Sequence, residues 1–215
     1  MYPYVLFDLD GTLTDPGEGI TNSVAYALAQ FGIEVSDRRS LNVFIGPPLL
    51  ESFARYYGFD AARCREALVQ YRVYFAERGI LENELYPETV WLLENLCRRG
   101  VKLVLATSKP EEYALRILRH FDIEKYFHCV AGASMDEARC EKSDVIAYAL
   151  QKAEIADAAQ CMMVGDRRHD VQGASANAMP CIGVLWGYGD EAELRCAGAA
   201  HVVSDMRELL ALLSQ

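Results

Sequence analysis

The sequence predicts an α/β fold: a doubly wound, mostly parallel sheet carrying an inserted all-helical segment. Three observations predict it. Short apolar β-type runs recur along the chain, helical patterns separate them, and residues 16–82 hold no strand run of useful length. Strand runs alternating with helices build a parallel sheet with helices on both faces.

The elements follow in chain order. Tyr4-Val5-Leu6-Phe7 is the first β-type run, and it ends on Asp8-Leu9-Asp10-Gly11-Thr12. Residues 16–82 read as several helices, among them 20–31 and 61–78, broken at Ile45-Gly46-Pro47-Pro48 and Tyr57-Gly58-Phe59-Asp60. Their aromatics (Tyr26, Phe31, Phe44, Phe53, Tyr56, Tyr57, Phe59, Tyr71, Tyr74 and Phe75) give this segment a core of its own. Residues 87–100 form the clearest helix: Pro87 opens it, Glu88 lies in its first turn, Arg98 and Arg99 in its last, and Gly100 stops it. Further strand runs lie at 101–106, 161–164, 181–185 and 201–203. The expected organisation is a Rossmann-like core made of residues 1–15 and 83–215, and a helical domain made of residues 16–82.

Composition narrows the function. Apolar residues make up 52% of the 215 and charged residues 24%, which excludes a disordered chain, a collagen and a coiled coil. A chain of this length buries about 70% of its unfolded surface and needs no disulfide or zinc staple. The seven cysteines form no C-x-x-C pair, and scattered thiols suit a reducing compartment, so a cytoplasmic location is expected. Acids outnumber Lys plus Arg by 31 to 21, leaving no electrostatic footprint for nucleic acid. The N-terminal residues lack the basic region and apolar run of a leader, and no stretch approaches the ~18 apolar residues of a membrane span.

Four short signals carry chemistry. Asp8 and Asp10, two apart where a strand ends, start out on the same side, and Gly11 lets the chain turn. Two carboxylates held together repel unless a cation or a shared proton intervenes. Thr107-Ser108-Lys109-Pro110 follows a strand and precedes a helix, where hydroxyls and free N–H groups suit an anion; taken alone, simple helix capping is the better description. Lys142 lies near a helix start, where the macrodipole disfavours a cation, a misfit that suggests an anionic partner where the default reading is a solvated surface lysine. Gly165-Asp166-Arg167-Arg168-His169-Asp170 delivers two acids four apart after an apolar strand, and such acids are also good capping chemistry. Asp8, Thr107 and Asp166 each follow a strand, so an open parallel sheet brings them to one edge, where ligands bind. Hard oxygen ligands with room for water describe a Mg²⁺ site that also holds a phosphate.

With these motifs in order, the chain resembles phosphatases of the haloacid dehalogenase superfamily, in the phosphoglycolate phosphatase-like and 5′-nucleotidase-like branch. The resemblance also covers Phe44-Ile45-Gly46-Pro47-Pro48-Leu49, Glu82-Asn83-Glu84-Leu85-Tyr86-Pro87 and Trp186-Gly187-Tyr188-Gly189. It implies that Asp8 is the nucleophile and Asp10 the general acid and base. It implies that Thr107 and Lys142 hold the transferring phosphoryl group, with Gly11 and Ser108 helping through their backbones. Asp8, the Asp10 carbonyl oxygen and Asp166 would ligate Mg²⁺, with Asp170 in support. The helical segment would be a mobile cap with Gly46 in its substrate loop. Lys109, from its own place beside the phosphate loop, is expected to touch the leaving group. The implied partner is a small phosphorylated metabolite, not a nucleic-acid polymer or a membrane, and the implied state is a monomer or weak dimer.

Other readings are weaker. A phosphomutase of the same superfamily is argued against by the form of the 165–170 motif, and a dehalogenase has no need of a carboxylate at Asp10. A receiver-like signalling domain shares the acids, threonine and lysine, but not the long insert or a nucleophile on the first strand. His169, Arg167 and Arg168 read as solvated or ion-paired neighbours of the acids, and Arg55 and Arg72 as helix-surface residues.

Overall fold

The computed structural model describes residues 2–214. In chain order its elements are β1 (Tyr4–Phe7), β2 (Thr14–Asp15), α1 (Gly17–Ala29), α2 (Leu49–Tyr57), α3 (Ala61–Tyr74), β3 (Glu84–Leu85), α4 (Thr89–Arg98), β4 (Lys102–Pro110), α5 (Glu111–His120), β5 (Phe127–Ala133), α6 (Lys142–Lys152), β6 (Cys161–Gly165), α7 (Arg168–Ala176), β7 (Cys181–Val184), α8 (Glu191–Ala197), β8 (His201–Val203) and α9 (Met206–Leu213). A 3-10 segment, Arg38–Phe44, lies between α1 and α2, and a π-helical turn, Phe75–Gly79, follows α3. The chain divides into two compact units, Met1–Thr14 with Leu85–Gln215, and Asp15–Glu84. The boundaries fall inside β2 and β3, which pair with each other.

The first unit is an α/β core. Its six strands run in the order β5-β4-β1-β6-β7-β8, all parallel. Such a sheet is buried on both faces, and its strands are accordingly apolar throughout. Val5, Leu6 and Phe7 of β1 and Leu103, Val104 and Leu105 of β4 are all buried, as is every residue of β6. On one face Leu6, Val104, Met163 and Cys181 pack against Val145 and Ile146 of α6, Val171 and Ala174 of α7, and Leu194 of α8. On the other face α4 packs against β4 and α9.

The strand order places the functional edge. From β1 the chain moves outward to β4 and β5, then crosses back to β6 on the opposite side of β1. The sheet therefore reverses its winding at β1, and the crevice at its C-terminal end is where such sheets bind ligands.

One strand differs from expectation. Phe127–Ala133 is a strand at the sheet edge, although its sequence carries a histidine and a glycine and no continuous apolar run. Only its last three residues are buried, as an edge position requires.

The second unit is helical. Its core is aromatic: Phe44 meets Phe53 at 5.0 Å between ring centroids, Phe53 stacks on Phe59, and Tyr71 stacks on Phe75 at 5.4 Å. Tyr26 and Tyr56, expected in this core, stand at the surface. The single helix expected over 61–78 ends its α-helical part at Tyr74 and continues as the π-turn. Gly79 of that turn abuts α1: a Cβ on Gly19 would lie 1.9 Å from the Gly79 carbonyl oxygen. Among the described residues no helix is long and apolar enough to cross a membrane.

Candidate active site

The site is built where β1, β4, β6 and β7 end. β1 delivers Asp8, whose N–H donates to the Val164 carbonyl of β6 at 2.9 Å, holding Asp8 to the neighbouring strand. The chain then turns back on itself, with the Leu13 and Thr14 N–H groups donating to the Leu9 carbonyl. Gly11 makes this turn with φ of +80°, and a Cβ there would lie 2.3 Å from an Asp166 carboxylate oxygen. No other residue type fits both constraints.

Among the described residues, Asp8, Asp10, Lys109, Lys142, Asp166 and Asp170 are the buried charged side chains. The Lys142 ammonium lies 2.9 Å from Asp8 Oδ1 and 2.8 Å from Asp170 Oδ1, and donates to the Ala106 carbonyl at 3.1 Å. Lys109 Nζ lies 2.8 Å from Asp10 Oδ2. Asp166 Oδ2 accepts from the Tyr188 N–H at 2.8 Å, and the Thr12 hydroxyl reaches Asp166 Oδ1 at 3.4 Å. Asp170 uses its two oxygens differently. Oδ2 accepts from the Arg167 N–H at 3.0 Å and caps α7, while Oδ1 faces Lys142. Helix capping and the charge cluster are therefore two uses of one residue.

The electrostatics follow from burial. Loss of water raises the Asp10 carboxyl above its ordinary value; Lys109 opposes that rise and Asp8 adds to it. Burial, then the charges of Asp170 and Asp8, hold Asp166 well above the carboxylate range. Asp170 is raised by burial, against the pull of Lys142. Burial alone would lower Lys142, but Asp170 and Asp8 outweigh it and hold the ammonium above its usual value.

Four buried carboxylates thus face two buried ammonium groups, an excess of two negative charges when all are ionised. Asp8, Asp166 and Asp170 each offer an oxygen, and the three atoms lie within 4.8 Å of one another. Hard oxygen donors with that charge excess fit a divalent cation. The Asp10 carboxylate stands outside this trio, on Lys109.

Thr107 and Ser108 sit inside the end of β4, and the residue before α5 is Pro110, so neither hydroxyl caps that helix. Thr107 is buried and its hydroxyl oxygen accepts the Lys109 N–H at 3.2 Å. Ser108 is half-buried beside it. Gly46 belongs to the second unit, just beyond the 3-10 segment, with φ of +100°. Arg167 pairs with Glu193 at 2.9 Å, the ion-paired role expected of it. Arg55 is exposed over the Tyr56 ring.

Sequence reasoning gave no role to the segment after β7. The Trp186 indole N–H donates to the Thr12 carbonyl at 3.0 Å, tying this loop to the Asp8–Thr12 turn. A Cβ on Gly187 would lie 2.3 Å from the Gly11 carbonyl oxygen, and one on Gly189 2.0 Å from the Asp166 carbonyl oxygen. Two glycines flanking one residue at a strand end are the signal that marks such a close approach.

Residues 5–184 match the family model described as haloacid dehalogenase-like hydrolase. The chain belongs to the haloacid dehalogenase-like hydrolase family. Within it, the chain is 47% identical to a 5′-nucleotidase of Pseudomonas aeruginosa, over 99% of this chain and 96% of that one. It is 41% identical to the tyrosine-protein kinase PtkA of Mycobacterium tuberculosis, over 96% of this chain and 72% of that one. A crystal structure of a predicted phosphatase from Clostridium acetobutylicum superposes with a TM-score of 0.97 at 46% identity, covering 100% of this chain and 99% of that one. As a haloacid dehalogenase-like hydrolase with these relatives, the chain is a phosphoric monoester hydrolase.

Proposed function

We propose that the chain is a Mg²⁺-dependent phosphatase of small phosphate monoesters, with nucleoside 5′-monophosphates and phosphoglycolate as the leading substrates, acting through an aspartyl phosphate on Asp8. The observation that carries the reading is the buried charge cluster at the end of β1, with its excess of two negative charges. A structural cluster gains nothing from excess buried charge; a metal-dependent phosphoryl-transfer site requires it.

In this reading an Asp8 oxygen attacks phosphorus, the ester P–O bond breaks, and its electron pair leaves with the ester oxygen. Asp10 gives that oxygen a proton. A water then passes a proton to Asp10 as its oxygen attacks phosphorus, the Asp8–phosphorus bond breaks, and inorganic phosphate leaves. Splitting the hydrolysis in two lowers each barrier. Thr107, Ser108, Gly11 and Lys142 hold the phosphoryl oxygens. Asp8, the Asp10 carbonyl, Asp166 and Asp170 hold the cation, which when bound offsets the repulsion between a carboxylate nucleophile and a dianionic substrate. Residues 15–84 are the cap, a role carried by the resemblance. The substrate is a free small metabolite met by a monomer or weak dimer, and the free cysteines suit a cytoplasmic setting.

The test is phosphate release with Mg²⁺ from nucleoside monophosphates, phosphoglycolate and p-nitrophenyl phosphate. EDTA and Asp8→Asn are each expected to abolish it. Release that survives both overturns the mechanism. Because a relative is named a tyrosine-protein kinase, the same preparations are tested for phosphoryl transfer from ATP to tyrosine. Transfer without release to water overturns the phosphatase reading.

A further inference from the structure

The two buried lysines divide the carboxylates between them. Lys142 joins Asp8 to Asp170, and Lys109 goes to Asp10. The Lys109–Asp10 contact is 2.8 Å, and the two side chains are 4% and 12% exposed. The partners are 99 residues apart in sequence but arrive from adjacent strands, since β1 and β4 pair in register as far as Phe7 and Leu105. The backbone at Lys109 is itself fixed, because its N–H donates to the Thr107 hydroxyl. Asp10 Oδ1, by contrast, is buried and has no hydrogen-bond partner among the described residues.

A buried carboxylate oxygen without a partner is costly, and native structures keep few of them. Here one oxygen of Asp10 is pinned and the other is left open. A carboxyl group that transfers a proton in both directions needs that arrangement, with a fixed plane and one available oxygen.

We propose that Lys109 is the positioning residue of Asp10: its ammonium pins Oδ2 and thereby presents Oδ1 as the proton-transferring oxygen. This rests on the reading of Asp10 as general acid and base. The proton on Oδ1 passes to the departing ester oxygen in the first step, and a water proton returns to Oδ1 in the second. Lys109 takes no part in the proton transfer itself. It acts on the rate through Asp10, so its effect follows the leaving group's need for a proton. Phenolate needs one and p-nitrophenolate, a far weaker base, does not. A lysine that only bound the phosphate, or only packed, would be indifferent to that difference.

The experiment measures kcat and KM with Mg²⁺ for phenyl phosphate and p-nitrophenyl phosphate, on the whole chain and on Asp10→Asn, Lys109→Met and the double variant. General acid catalysis contributes about 10²–10⁴-fold, so Asp10→Asn is expected to lose about 10²-fold more kcat on phenyl than on p-nitrophenyl phosphate. Lys109→Met is expected to repeat that selectivity at about tenfold or more, in kcat and not in KM. The double variant is expected to be no more selective than Asp10→Asn. Equal losses on both substrates, or a loss confined to KM, while Asp10→Asn stays selective, overturn the role of Lys109 and leave that of Asp10 standing. An unselective Asp10→Asn overturns the general-acid reading and the inference with it. Thermal melting verifies folding, and should Lys109→Met not fold, Lys109→Leu, which likewise lacks a donor, is held to the same comparison.

Discussion

Lys142 compensates more buried charge than any other single side chain of the core. It opens α6, where the helix dipole disfavours an ammonium, and two carboxylates and a carbonyl hold it there. Removing one partner of a buried pair costs about 3–5 kcal/mol, because the remaining charge stays buried and uncompensated. Lys142→Met is therefore expected to lower the melting temperature by about 10 °C, at roughly 2–4 °C per kcal/mol for a chain of this size. Lys125→Met is the control. Its exposed pair with Asp122 is screened by water, and no measurable shift is expected. Differential scanning calorimetry of the two variants checks both, and equal shifts would remove the buried cluster from the account of stability. The lysine's misfit at the helix start was visible in the sequence because the helix rule it breaks is local, although the default reading of such a residue is a solvated surface lysine. Its carboxylate partners, more than a hundred residues away for Asp8, were visible only as strand-end acids.

At the scale of elements, legibility followed local periodicity. β1 and β6 announced themselves because a central parallel strand is buried on both faces and reads as an unbroken apolar run. β5 did not, because an edge strand with half-exposed residues has no need of one. The π-turn after Tyr74 was hidden for another reason: its residues keep a helical pattern, and the change in winding occurs where Gly79 closely approaches Gly19, a contact distant in sequence. The loop from Trp186 to Gly189 is the element whose importance the sequence understated. It holds Asp166 by the Tyr188 N–H and the Asp8–Thr12 turn by the Trp186 indole. Trp186→Phe keeps the ring packing and deletes one hydrogen bond, worth about 1 kcal/mol. The Mg²⁺ concentration for half-maximal activity is expected to rise up to about fivefold, the same energy read as a binding constant. Gly187→Ala, whose Cβ would press on the Gly11 carbonyl oxygen and Asp166, is expected to raise it further. Titration of Mg²⁺ followed by both activity and thermal shift checks the order; an unchanged requirement in both variants would make the loop a bystander.

For the whole molecule, the four motif positions were legible because parallel topology turns strand ends into a shared edge, whatever the loops do. What topology does not carry is the charge balance of that edge, and this sets how stability responds to pH. Asp10, Asp166 and Asp170 all hold protons more tightly in the folded chain than the ordinary carboxyl value of 3.8, and Asp170 is pushed up to about 6. As pH rises through 3.8 the unfolded chain releases these protons before the native state does. The native state then binds more protons, so unfolding free energy falls as pH rises through the interval from 3.8 to the folded values. Lys142 adds no slope there, since its raised value keeps it charged in both states until the pH passes its unfolded value of 10.5. The metal-free protein is therefore expected to melt at progressively lower temperature from pH 4.5 to pH 7.5. A divalent cation needs these carboxylates ionised, so its binding releases protons and strengthens as pH rises. Ligand bound only to the native state stabilises it by RT ln(1 + [L]/Kd), and the rise in melting temperature caused by Mg²⁺ is expected to be small at pH 5 and to grow toward pH 7.5. Asp166→Asn removes one of the contested protons and one of the carboxylates proposed to hold the cation, so it should flatten both trends at once. Melting curves with Mg²⁺ and with EDTA across this range decide the matter. A Mg²⁺ effect that does not change with pH would show that the cation binds groups already ionised, and would move its site away from the end of β1.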